Sequence, residues 1–134
     1  MFTEIEVWNL FWLSGISNAA WFAGLAFLLW VSFRAANLVG ESDNMIGKIA
    51  VTAFCLVIVY QLNFNAALVE WASNGTASAL VYLQSQGTEI SAGAQRFVEF
   101  MEPGKEFNLM PNGIGWIFLV TILVMQMSSI WMKK

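Results

Sequence analysis

Residues 10–33 read LFWLSGISNAAWFAGLAFLLWVSF. The stretch holds no Asp, Glu, Lys or Arg, and its apolar residues recur on every side of a helical wheel. A surface helix of a soluble protein keeps one polar side. A helix that crosses a membrane needs about 20 mostly apolar residues. The stretch therefore predicts a transmembrane helix. Two further stretches satisfy the same rule: residues 49–69, between Lys48 and Glu70, and residues 113–132, which stop at Lys133 and Lys134.

The composition agrees. Of the 134 residues, 58% are hydrophobic, 15% aromatic and 11% charged, against about 25% charged in an ordinary soluble domain. Disorder is excluded by this apolarity. Six basic residues and a net charge of −3 give no electrostatic footprint for nucleic acid, so no nucleic-acid partner is expected. One Cys forms no internal disulfide, and without His no metal site of the His/Cys kind is available. The fold class expected is all-α: one domain over residues 1–134 with three transmembrane helices and a short amphipathic helix in an outer loop, residues 72–112.

A cleaved signal peptide has a basic start. Here Glu4 and Glu6 precede the first apolar stretch and no Lys or Arg occurs before Arg34, so that stretch is read as a retained helix. Basic residues also set orientation. Arg34 and Lys48 flank the short first loop, and Lys133 and Lys134 end the third stretch; three spans put these on one side. Seven glutamates, Glu4, Glu6, Glu70, Glu89, Glu99, Glu102 and Glu106, fall on the other, with Arg96 and Lys105 spread over its long loop, and only Glu41 and Asp43 lie with the basic ends. The reading places the N-terminus outside and the C-terminus in the cytoplasm, in a bacterial inner membrane. Trp8, Trp12, Trp30, Trp71, Trp116 and Trp131 lie near the predicted membrane boundaries, where an apolar ring and a polar N–H are both satisfied. Trp21 is at mid-depth and is read as a lipid or packing contact.

In the outer segment, Ser73-Asn74-Gly75-Thr76 predicts a turn that stops the second helix. A short helix over residues 76–86, ended by Gly87, is a weaker expectation. Residues 91–101 read as a better helix, with Ile90, Ala94, Phe97, Val98 and Met101 along one face and a Pro103-Gly104 break after it. That face is short and not basic. Phe97, Val98 and Met101 are therefore read as contacts to a partner protein in preference to lipid. Asn74-Gly75-Thr76 matches a glycosylation tripeptide that occurs often by chance and carries no weight here.

Polar residues at membrane depth face protein or water. With the tryptophans as depth markers, Asn18, Asn63, Asn65 and Thr121 fall in one layer and Gln61 lies slightly deeper. They are read as interhelical hydrogen bonds, with a polar pocket or subunit contact as the sharper alternative. Gly15, Ala19 and Ala23 are spaced by four, as are Ala20 and Gly24, a pattern that lets another helix approach closely. Cys55 behaves as a small hydrophobe in the second span. Met125, Met127 and Met132 are packing residues, since no His or second Cys joins them in a copper site.

These readings point to a non-catalytic accessory subunit of a larger membrane complex, with other membrane subunits and lipids as partners. General acid–base chemistry most often uses His, and nucleophile motifs of the Gly-x-Ser-x-Gly kind are absent. No enzymatic role and no cofactor are expected, with room left for bound lipid. If the host is a redox or monooxygenase complex, its metals belong to other subunits. The alternative is a small homo-oligomeric pore or transporter, by analogy of topology with some phage holins. Against it, no charged constriction or intramembrane carboxylate is visible in the three stretches.

Overall fold

The structure, a computed structural model, describes residues 2–133. Lys134, counted above among the inner basic residues, lies outside the described residues. Four helices follow in order, α1 (Glu4–Gly40), α2 (Met45–Ser85), α3 (Ala92–Phe100) and α4 (Gly113–Trp131), with no strand among the described residues. Three of them, α1, α2 and α4, are long and apolar enough to cross a membrane. The chain is an all-α protein of membrane type.

The start of α1 is capped reciprocally. Thr3 Oγ1 accepts from the Glu6 amide at 3.4 Å, and the Thr3 amide donates to the Glu6 carboxylate at 2.7 Å. From there α1 runs for 37 residues and α2 for 41, about 55 and 60 Å at 1.5 Å per residue. The hydrocarbon core of a bilayer is about 30 Å thick. Both helices therefore continue well past a membrane-thick stretch.

The turn expected at residues 73–76 is absent, because α2 passes through it. Ser73 and Thr76, which suggested a stop, and Ser78 beyond them turn their side chains back onto helix carbonyls. Ser73 donates to Val69 O at 2.9 Å, Thr76 to Ala72 O at 2.9 Å and Ser78 to Asn74 O at 3.0 Å. Gly75 costs helix propensity only. The true end comes at Gly87, whose φ of 83° suits the left-handed residue after a helix, with Thr88 N–H donating to Leu83 O at 3.1 Å. The helix expected over residues 76–86 is thus the tail of α2.

Contacts gather into two compact units, Met1–Ala19 with Ala66–Asn108 and Ala20–Asn65 with Leu109–Lys134. In the first, Val7, Leu80, Leu83, Ile90 and Ala94 form the buried core, with Trp8, Phe97 and Val98 packed on it. In the second, one core gathers Leu25, Ile58, Val59, Leu62, Leu119 and Ile122, and another Ala36, Cys55 and Ile130. The inward stripe of α4 is Leu119, Ile122, Gln126 and Ile130, spaced by three or four as one helix face requires. At the far end of this unit α1 and α4 touch backbone to backbone: a Cβ on Gly40 would fall on the Ser129 carbonyl. Only glycine permits that approach.

Candidate functional site

Four of the polar membrane residues belong to the second unit. Asn65 is buried, Gln61 and Asn63 are half-buried and Thr121 is exposed. No hydrogen bond joins any two of them among the described residues. Helix phase explains this. Asn63 and Asn65 are about 200° apart on α2, and Thr121 is one residue off the inward stripe of α4. A shared depth does not give a shared face. Asn63 donates its amide to the Leu109 carbonyl at 2.8 Å. That bond also corrects the depth scale, because Asn63 is the α2 residue that meets the segment leading into α4. Trp71 is eight residues, about 12 Å, further along the helix. In the first unit, Asn18 donates to Ser14 Oγ, one turn away on α1, at 3.4 Å.

The structure brings together a polar group that the composition conceals. Ser32 of α1 and Gln126 of α4 are both fully buried. Gln126 donates from Nε2 to Ser32 Oγ at 2.7 Å, and Ser32 donates on to Leu29 O at 2.7 Å. Cys55 of α2 is fully buried in the core it shares with Ala36 and Ile130. Gln126 Oε1 is buried with no partner. Ser32 and Gln126 therefore join α1 to α4 through a single buried contact. The signal was readable: Gln126 is the one amide in residues 113–132, and it shares the i, i+3, i+4 face of Ile122 and Ile130.

Beside Asn63 the second unit has an open groove of about 360 Å³. Leu56, Val59 and Leu119 line it together with Tyr60, Trp116 and the Leu109–Pro111 segment. The Asn112 cap of α4, which accepts from Gly115 N at 2.7 Å, fixes where that segment turns into helix.

In the first unit, the apolar face of α3 is occupied by the chain itself. The Phe97 ring lies 5.2 Å from that of Trp8 and 5.5 Å from that of Phe11, both edge-on. Val98 packs on the same core and Met101 caps the helix, half-buried. The partner expected for Phe97 and Val98 is thus supplied by α1 and α2. Glu4 secures the start of α3, accepting from the Ser91 amide at 2.8 Å, the Ser91 hydroxyl at 2.7 Å and the Trp8 indole at 3.0 Å. These bonds, led by the Ser91 hydroxyl, hold the Glu4 carboxyl below the ordinary range. The Pro103-Gly104 turn is pinned to α2. Asn74 Oδ1 accepts from Glu102 N at 3.1 Å, Ser78 Oγ accepts from Gly104 N at 2.8 Å, and Lys105 bridges Glu102 and Glu70 at 2.6 and 2.8 Å. The two carboxylates, Glu102 first, push the Lys105 ammonium above its usual range.

The small-residue face of α1 stands open. Gly15, Ala19, Ala20, Ala23 and Gly24 are all exposed, and a Cβ on Gly15 or Gly24 would meet nothing within 4 Å. Of the boundary tryptophans, Trp12, Trp30, Trp71, Trp116 and Trp131 are exposed, as is Trp21, while Trp8 is half-buried. Trp131 donates to Thr52 Oγ1 at 3.0 Å, and Lys48 sits 6.0 Å above its ring. No family profile, curated protein or solved structure matches the chain.

Proposed function

We propose that this chain is a non-catalytic accessory subunit of a larger multi-subunit membrane complex, contributing helix–helix and lipid contacts. The observation that carries the reading is how little of each span the chain covers. Inside the chain, 17% of the most apolar window of α1, 22% of that of α2 and 22% of that of α4 are buried. Small residues on an uncovered helix face suit close approach by another helix. The Gly15–Ala19–Ala23 face has that composition and no neighbour at its glycine. A redox or monooxygenase complex is one host that fits, with its metals held by other subunits.

The proposal includes a bacterial inner membrane, with the N-terminus outside and the C-terminus cytoplasmic. Arg34, Lys48 and Lys133 in the second unit support that orientation. Purification of the native protein in mild detergent, with mass spectrometry of what co-purifies, tests the reading. Stoichiometric membrane subunits are expected. A chain that runs alone at monomer mass contradicts it, and a homo-oligomer that conducts ions in liposomes selects the pore.

A further inference from the structure

We infer that the groove beside Asn63 is a binding site for one diacyl glycerophospholipid, with an acyl chain on the apolar floor and an ester carbonyl hydrogen-bonded to Trp116 and Tyr60. The groove is built wholly from α2, α4 and the Leu109–Pro111 segment of the second unit. It therefore stands whether or not the chain has subunit partners.

Three observations select this occupant. The first is depth. Backbone outside a helix is not tolerated facing lipid hydrocarbon, because its N–H and C=O groups find no partner there. The segment 109–112 is non-helical and largely exposed, so the part of the groove it lines lies at the headgroup boundary. Ester carbonyls of a phospholipid sit just inside that boundary, where Trp116 follows the Asn112 cap by four residues.

The second is hydrogen-bonding capacity. The Trp116 indole N–H and the Tyr60 hydroxyl line the groove and have no hydrogen-bond partner among the described residues. Both are donors, and at this depth they require an acceptor. An ester carbonyl accepts and cannot donate.

The third is shape. The floor of Leu56, Val59 and Leu119 is apolar, and about 360 Å³ falls within the range of small-ligand sites. Asn63 spends its amide N–H on Leu109, so it ties the Leu109–Pro111 segment to α2 and leaves the two aromatic donors to orient the lipid.

Native mass spectrometry of the full purified chain, titrated in detergent with a diester phosphatidylglycerol and with its diether analogue, tests the site. The two probes differ only in the carbonyls. One bound diester lipid is expected, retained about thirty-fold more strongly than the diether, the size of two net hydrogen bonds. W116F and Y60F should each reduce that preference, and together abolish it, with thermal stability unchanged. L56W, which fills the groove from an exposed position, should abolish retention of both lipids. Equal retention of diester and diether by the unaltered chain overturns the proposal, as does retention that survives L56W. A quinone that displaces the lipid and responds to the same substitutions reassigns the site and equally overturns it.

Discussion

The two units of this chain are held by different kinds of contact. In the first, polar side chains bond to backbone amides: Glu4 to Ser91, Asn74 to Glu102 and Ser78 to Gly104, with Lys105 as an ionic clasp. In the second, three helices share apolar cores around one fully buried amide–hydroxyl pair, and one glycine allows two backbones to touch. Directional polar bonds can pin a turn against a helix. Inside a membrane, lipid is as apolar as leucine, so close packing and interhelical hydrogen bonds drive association.

Four substitutions or titrations sharpen that contrast. The largest effect is expected at Gly40. G40V places side-chain atoms on the Ser129 carbonyl, and overpacking of this kind costs about 3 kcal/mol. It should lower the melting temperature in detergent sharply, while G15V, which meets open space, leaves it unchanged. Equal effects would remove the close approach from the account.

Ser32 comes next. S32A leaves the Gln126 N–H buried without an acceptor, a loss of about 2 kcal/mol. Adding Q126L to it removes both partners and should restore most of the stability. If S32A is neutral by thermal denaturation, the pair does not fasten the helices.

In the first unit, N74A removes the acceptor for the Glu102 amide and should cost about 1 kcal/mol. The effect should be local: amide exchange at residues 101–105 quickens while the α4 amides keep their protection. Protection lost evenly across both units would break the distinction between them.

The smallest effect is the pH dependence of the first unit. Glu4 lies ahead of the charge-free stretch of α1, and its pKa is lowered on folding. Its contribution is present above the unfolded value of about 4.3 and is lost as pH falls through the folded value. Lys105 has the opposite sign, its folded pKa being raised. Its contribution is complete below the unfolded value of about 10.4 and is lost as pH rises through the folded value. The NMR resonance of the Trp8 indole N–H should therefore shift as pH is lowered from 7 towards 3, and E4Q should lack that titration. A resonance unmoved in the unaltered chain counts against the clasp.

Much of the architecture was legible. Uninterrupted apolar length gave the three spans, and Ser91 with Pro103-Gly104 bracketed α3 closely. The miss at residues 73–76 arose because Ser, Asn and Thr serve turns and helices alike. Which role they take depends on whether a partner, here the Glu102 amide, lies within reach. The polar layer failed for a related reason. Depth along a helix can be counted from the sequence, but the facing residue also depends on how neighbouring helices are rotated. Asn63 found Leu109, and Ser32 with Gln126 formed the buried contact instead. The apolar face of α3 was read as a contact for a partner protein, whereas in the structure Phe97 and Val98 pack on the core that α1 and α2 supply.

The central claim is that the exposed small-residue face of α1 belongs against another subunit. Site-specific photo-crosslinking in the native membrane tests it most directly, with the photoreactive residue placed at Ala19 and, as an internal control, at buried Cys55. The account predicts a high-yield adduct between Ala19 and a different membrane protein, while the probe at Cys55 reacts only within this chain. Adducts of Ala19 with lipid alone, or only with a second copy of the chain, would contradict it.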